Sequence, residues 1–238
     1  IIVVDNDSAD GSEAPAAGRP AVTLIRAGAN LGFARACNLG AARGSAALIL
    51  FLNPDTRLFA ESLGAVVQFM ERPENGKIGI CVIQLLDESG QVARNCARFP
   101  SATGFVARAA GLDRLAPRAF GHFLSDWDHA STRTVDQVMG AFFLVRRSVF
   151  EALAGFDERF FVYFEDLDLS YRAKQAGWSS VYLASTRAFH AGGGSSNQVK
   201  AERLFYVLRG RLLYAFKHFS VPAGALVLAA TVLIEPIS

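Results

Sequence analysis

Glu165, Asp166 and Asp168 crowd into the start of one helical stretch, behind the aromatic run Phe160, Phe161, Tyr163 and Phe164. Acidic residues in a first helical turn are favoured by the helix dipole whatever else they do. A surface helix start needs no aromatic residues ahead of it, however. Carboxylates shielded by aromatics hold their protons more tightly, which suits a general base. A second carboxylate, Asp55, closes Phe51-Leu52-Asn53-Pro54-Asp55, where Pro54 stiffens the turn after an apolar run. Placed at the end of a strand, it suits Mg²⁺ or Mn²⁺, hard cations that bind through one or two carboxylates plus substrate phosphates. The plainer reading is a strand-ending turn in which Asp55 caps the next segment of chain.

Two further polar clusters follow apolar runs. Val4-Asp5-Asn6-Asp7-Ser8 leads into Asp10-Gly11-Ser12, whose acidic and small polar side chains can accept hydrogen bonds from a nucleobase or ribose. The same residue types build ordinary Asx and Ser turns. Asn30-Leu31-Gly32-Phe33 opens a helix in which Asn30 can cap and Gly32 permits close backbone approach, a terminus suited to a diphosphate. His190 precedes Gly192, Gly193, Gly194, Ser195 and Ser196, a glycine- and serine-rich segment expected to close over phosphates.

The elements that must position these residues alternate. Ile1–Val4, Val22–Ile25 and Ala47–Leu52 read as buried strands, with helices over 33–43 and 61–71 between or after them. Continuous apolar strands separated by helices predict a parallel sheet covered on both faces. In such sheets ligands bind beyond the carboxyl ends of the strands, where these polar residues stand. Ile78–Leu86 predicts a strand ending in the turn 87–90. Val135–Arg146 predicts another strand, followed by a short helix over 148–154. Asp166–Ala176 predicts a helix closed by Gly177, then a strand over 179–183; residues 99–131 are rich in Gly and Pro and carry no periodicity.

The C-terminal stretch 199–217 has helical spacing, with Leu204, Phe205, Leu208 and Leu212 on one side. The other side carries Lys200, Arg203, Arg209, Arg211 and Lys217 against Glu202 alone. A basic amphipathic helix followed by an apolar run suits an anionic membrane surface, or equally a helix packed on the domain with a solvated basic face. The apolar run from Val221 to Ile234, interrupted by Pro222 and Gly224, is shorter than the roughly 20 residues of a spanning helix.

With 238 residues, 51% hydrophobic and 19% charged, the chain buries a full core and is not disordered. A formal net charge of +2 gives no reason to expect nucleic acid as a partner. Cys37, Cys81 and Cys96 show no paired spacing, which predicts core thiols in a reducing compartment rather than disulfides or zinc. The sequence opens directly on a strand without an initiator Met or signal peptide, and reads as a fragment truncated at both ends.

The order of the motifs is more specific than any one of them. V-D-N-x-S-x-D-G-S, N-x-G-F-A-x-A-x-N-x-G, F-L-N-P-D, G-A-F-F-L-V-R-R and G-F-D-E-x-F-F-x-Y-x-E-D-x-D-L-x-x-R, running from Val3 to about His190, resemble family-two bacterial glycosyltransferases of the rhamnosyltransferase-like branch. The resemblance implies a GT-A fold, a Rossmann-like mostly parallel α/β sheet with helices on both faces, over residues 1–198. The basic helix and apolar tail, 199–238, would come after it. It also implies an inverting enzyme with a nucleotide-sugar donor and a divalent metal; the basic helix and apolar tail in turn predict a place at the cytoplasmic face of the cell membrane, which a glycan or lipid-linked acceptor would fit. By the same resemblance Asp5 contacts the nucleobase; Asn6, Asn30, Gly32 and Asn53 belong to the donor site. Asp55 is the metal-binding member of a D-x-D-type motif whose first Asp is here Asn53, helped by His190. Asp166, beside Glu165, is the catalytic base, and Gly140 and Ala141 line the donor–acceptor junction. Family members begin with a further strand and helix before the V-D-N strand; this sequence lacks that unit.

Two rival functions compete with this one. A non-catalytic module could bind a glycan or nucleotide sugar on the same fold; Asn53 and the missing strand favour it, while Asp55, Glu165, Asp166 and His190 together oppose it. Nucleotidyl transfer predicts a Gly-rich basic loop after the first strand, which is absent from this sequence.

Overall fold

A computed structural model describes residues 1–116, 121, 124, 127–192 and 200–234. The Gly193–Ser196 part of the glycine- and serine-rich segment lies outside the described residues, as does the 198/199 division.

The first strands are β1 (Ile2–Asp5) and β2 (Thr23–Arg26), which pair in parallel, followed by α1 (Phe33–Ala41) and β3 (Leu48–Leu52). Then come β4 (Thr56–Leu58), α2 (Ser62–Glu71), β5 (Ile78–Leu86) and the short strands β6 (Val92–Ala93) and β7 (Cys96–Ala97). Helices α3 (Ala102–Ala109) and α4 (Leu112–Leu115) lead to β8 (Arg133–Val135), β9 (Gln137–Val138), β10 (Phe142–Arg146) and α5 (Arg147–Ala152). The remainder is α6 (Glu165–Gln175), β11 (Ser179–His190), α7 (Lys200–His218) and α8 (Val221–Leu233).

The main sheet has the order β3-β10-β5-β11-β4. Strands β3, β5 and β11 run in one direction, with β10 antiparallel between β3 and β5. Continuous apolar strands arise because both faces are covered. On β5, Ile80 and Val82 enter one core with Ala34 of α1 and Leu169 of α6, while Cys81, Ile83 and Leu85 enter another with Val66 and Met70 of α2. Alternate side chains point to opposite faces, so a strand buried on both sides must be apolar throughout. Cys81 and Cys96 are core thiols, as expected.

Among the described residues β1 and β3 do not pair, and a cavity of about 1160 Å³ lies between them. Ile2 and Val4 line one side, Leu48, Leu50 and Leu52 the other. Two strand edges that are unpaired among the described residues thus face one apolar slot.

Three sequence expectations need correction. The stretch Val135–Arg146 is not one strand but β8, β9 and β10: Asp136 leaves the ladder to bind Lys174 Nζ at 2.7 Å, and Gly140 leaves it to meet Asp166 of α6. The last strand runs on to His190 through Ala184 and the polar residues 185–187, with a register shift between Leu183 and Arg187. The basic face of the C-terminal helix is not displayed as a unit: Arg211 is buried over Phe105, and Lys217 Nζ sits 2.6 Å from both Asp157 and Asp168. What α7 and α8 expose instead includes Leu204, Phe205, Phe216, Leu226, Val232 and Leu233. No helix among the described residues is long and apolar enough to cross a membrane.

Candidate functional site

The turn after β3 is fixed from three sides. Asn53 N–H donates to the Ala141 carbonyl at 3.0 Å, Thr56 Oγ1 donates to the same oxygen at 3.3 Å, and Thr56 N–H closes the turn onto Asn53 at 3.0 Å. The chain then enters β4, which pairs antiparallel with the end of β11 so that His190 lies opposite Thr56. This register puts His190 Nε2 3.3 Å from Asp55 Oδ1, while Ala191 N–H donates to the Asp55 carbonyl at 3.2 Å. The strand extension past 183 therefore brings Asp55 and His190 together.

The second centre stands at the start of α6. Asp166 Oδ2 accepts from Gly140 N–H at 3.0 Å and Oδ1 from Leu167 N–H at 2.6 Å. Burial pushes the Asp166 pKa up to about 6, an upward pressure that these two N–H groups and the Gln137 side chain partly offset. Glu165 is buried, and its Oε2 has no partner among the described residues. Burial, then the Asp166 charge, push the Glu165 pKa well above the carboxylate range. Residues 140 and 141 join the two centres, one N–H on Asp166 and the next carbonyl on Asn53. The dipeptide can do this because it has left the sheet between β9 and β10.

The raised Glu165 carboxylate has a consequence for stability. A carboxyl raised in the folded state stabilises fully below its unfolded pKa, and that contribution is lost as pH rises through the folded value. Glu165→Gln is neutral at every pH. It is expected to match the parent in Tm near pH 5 and exceed it near pH 8 by about 4 °C. Calorimetry across this range checks it; an advantage confined to acid pH would contradict the assignment.

The donor-side residues form a network of their own. Asn6 Nδ2 donates to Asn30 Oδ1 at 3.0 Å, Leu31 N–H donates to Asn6 Oδ1 at 2.8 Å, and Gly32 N–H donates to Asn30 Oδ1 at 3.1 Å. Asp5 Oδ1 accepts from Ser8 N–H at 3.1 Å, an Asx-type turn. Asn6, Asn30, Gly32, Asn53 and Pro54 line the polar end of the cavity; Asp5, Asp55, Asp166 and His190 stand outside its lining. Gly32, at φ 80°, approaches protein: a Cβ there would run into the Phe161 carbonyl oxygen. Phe33 N–H donates to that oxygen at 2.6 Å, so the first N–H of α1 is taken by the chain and not left for an anion.

Some of the site was missed in the sequence. Gln137 is buried against Asp166, and its only signal was a polar residue inside an apolar run. Asn38 binds both Phe156 N–H at 2.9 Å and the Phe156 carbonyl at 2.8 Å, fixing the loop that leads to α6.

The profile of Glycosyl transferase family 2 matches residues 1–153. The chain belongs to that family. This family 2 chain is 33% identical over 225 residues to the N-acetylglucosaminyl-diphospho-decaprenol L-rhamnosyltransferase of Mycobacterium tuberculosis, covering 86% of the chain and 70% of the relative. It is 29% identical over 144 residues to rhamnosyltransferase WbbL of Escherichia coli K12, covering 60% of the chain and 51% of that protein. Among solved structures, the mannosyltransferase PcManGT of Pyrobaculum calidifontis, in complex with GDP-Man and Mn²⁺, superposes with a TM-score of 0.56 at 16% identity. That likeness covers 99% of the chain and supports the GT-A fold; the chain spans 61% of the mannosyltransferase's length.

Asp55 and His190 supply a carboxylate and an imidazole, with the Asn53 amide two residues away. Among the described residues no group of three or more His, Cys, Asp or Glu converges as a metal cage. Two protein donors fit a cation that completes its shell with phosphate oxygens and water, as Mg²⁺ and Mn²⁺ do.

Proposed function

We propose that the chain transfers a sugar, L-rhamnose, from a nucleoside-diphosphate donor to a hydroxyl of a lipid-linked glycan in cell-surface polysaccharide synthesis, with inversion. The observation that carries this reading is the Gly140-Ala141 link between the Asn53–Asp55 turn and Asp166. It sets a carboxylate with a pKa of about 6 beside a turn whose Asp55 suits a divalent cation. The rhamnosyltransferase relatives support the sugar, and the decaprenol-linked acceptor in one relative's name supports the acceptor class.

In this mechanism Asp166 accepts the proton of the acceptor hydroxyl as its oxygen attacks the anomeric carbon. The bond to the donor diphosphate breaks on the opposite face, and its electron pair leaves with the diphosphate. One in-line displacement inverts the centre and needs no covalent nucleophile. At pH 7 a group with a pKa near 6 is mostly ionised yet still basic. Burial and the neighbouring Asp166 charge push the Glu165 pKa upward, which disfavours a second charge in the pocket. Asp5, Asn6, Asn30 and Asn53 hold the nucleotide side, with Gly32 shaping the turn by its N–H bond to Asn30. Asp55 and His190 would hold Mg²⁺ or Mn²⁺, which when bound neutralises charge developing on the leaving diphosphate. A thermal-shift screen against UDP-, dTDP- and GDP-sugars with Mn²⁺ or Mg²⁺ tests this reading. Stabilisation by a dTDP-sugar and metal together is expected; no response to any nucleotide sugar would contradict it.

The proposed place of work is the cytoplasmic face of the cell membrane, reached through the exposed apolar residues of α7 and α8 rather than through a basic face. Phe205 and Val232 are 60% and 57% exposed, unusual for residues of their size. The double variant F205S/V232S is expected to lower the fraction pelleting with anionic vesicles about tenfold, since two apolar side chains leave the interface. Parent binding should persist in 0.5 M NaCl; its loss there would return the effect to charge.

A further inference from the structure

The two residues ahead of α6 adopt a conformation that side chains other than glycine rarely take. Tyr163 (φ 68°) and Phe164 (φ 73°) are consecutive left-handed residues, and Phe164 is the N-cap of the helix that carries Glu165 and Asp166. Such backbone persists only where its surroundings over-determine it. Here one face of α7 supplies much of that constraint.

Tyr206, Gly210, Tyr214 and Lys217 recur at helical spacing and all meet the 157–168 segment. Tyr206 stacks on Phe161, with ring centroids 4.7 Å apart and planes at 15°. Gly210 lies so close to the turn that a Cβ would come within 2.8 Å of Phe164 Cδ2 and 3.2 Å of the Tyr163 carbonyl oxygen. Tyr214 packs its ring 6.2 Å from that of Phe164. At the far end Asp168, fully buried, accepts from Lys217 Nζ at 2.6 Å and His218 Nε2 at 2.8 Å, and from Arg172 Nε at 2.7 Å. Burial alone would raise the Asp168 pKa; these three partners hold it below the usual carboxylate value, so α7 is pinned to α6 by an ion cluster. Gly32 also packs closely on Phe161, and the Phe33 N–H donates to the Phe161 carbonyl at 2.6 Å, a second constraint on the chain leading into the turn.

We propose that α7 is a positioning element of the transfer site: through Gly210 its inner face fixes the Tyr163–Phe164 turn and thereby the aim of Asp166. The proposal rests on Asp166 being the base. It gives the C-terminal helix a role in the chemistry without contact with the reacting atoms, and it makes the absent side chain at position 210 the point through which that role acts.

The test compares two equally tight helical glycines. At Gly224 a Cβ would also come within 2.8 Å of a ring, that of Phe216, away from the turn. The full chain carrying Gly210→Ala or Gly224→Ala is assayed with dTDP-L-rhamnose, Mn²⁺ and a short-chain N-acetylglucosaminyl-diphospho-prenol, and donor Kd is measured separately. Gly210→Ala is expected to lower kcat about 10²-fold, the scale of a misplacement near 1 Å, with donor Kd within about twofold of the parent. Gly224→Ala is expected to keep the parent kcat. If Gly210→Ala does not fold, Tyr206→Leu, which removes the stack on Phe161, is read the same way and is expected to lower kcat about tenfold. Parent-like kcat in the folded variant, or equal losses in kcat and donor affinity, would overturn the proposal. Asp166→Asn is run alongside. If it is inactive while Gly210→Ala transfers normally, only the positioning role fails; if it transfers normally, or the parent transfers nothing, the reading of the site itself fails.

Discussion

Asp166→Asn is expected to lower sugar transfer by about 10³-fold while donor affinity stays within about twofold of the parent, the size and pattern of losing a general base. The substitution keeps the shape of the side chain but removes the proton acceptor. Two N–H groups, those of Gly140 and Leu167, now face the two carboxylate oxygens. An amide offers an oxygen to only one of them, and the other pairing is lost at about 1–3 kcal/mol. A thermal melt beside the kinetics separates this cost from the chemical one. In the parent, kcat should fall as pH drops through about 6, where Asp166 becomes protonated. Transfer that survives in Asp166→Asn, with the same pH profile, would move the base elsewhere on α6.

Asp55→Ala is expected to remove the metal-dependent part of donor binding, about 10²-fold in Kd with Mn²⁺ present, and to change metal-free affinity little. Asp55 is the one carboxylate of the turn, and Asn53 two residues earlier offers only a neutral amide oxygen. His190→Ala should cost less, about tenfold, because an imidazole brings no charge to the cation. Titration calorimetry of dTDP with and without Mn²⁺ reads both variants. Equal affinity with and without metal in the parent would remove Asp55 from a cation-binding role.

Much of the fold was legible because the strands buried on both faces announce themselves as unbroken apolar runs. Ile78–Leu86 has the same limits in the sequence and in the structure, and 48–52 differs from its expected bounds by a residue. The reading failed where the chain trades sheet pairing for the site. Residues 135–146 look like one strand by composition, yet Asp136 and Gly140 are turned out to serve Lys174 and Asp166. Ala184 to Arg187 look like the end of a strand, yet the ladder resumes after a register shift and delivers His190 to Asp55. Helix α3 was hidden by its short length and by Gly104, though Ser101 caps it by accepting from the Gly104 N–H at 3.0 Å.

The candidate site residues were legible as types in an order, and their partners were not. A sequence cannot show that Asn6 and Asn30 bind each other, or that Lys217 is drawn from a basic stripe into a buried cluster with Asp168. Charge on a helical wheel predicts a solvated face only when no buried carboxylate lies within reach. Here one does, and the surface left outside mixes Arg203 and Arg209 with the exposed apolar residues Leu204, Phe205 and Phe216.

The most direct test of sugar transfer with inversion is time-resolved proton NMR of the full chain with dTDP-L-rhamnose, Mn²⁺ and a short-chain N-acetylglucosaminyl-diphospho-prenol. The account predicts a new anomeric signal of configuration opposite to the donor's, growing as dTDP is released, and absent with Asp166→Asn. A product of retained configuration would contradict the single displacement. Nucleotide binding with no product from UDP-, dTDP- or GDP-sugars would instead make the chain a binding module on a transferase fold.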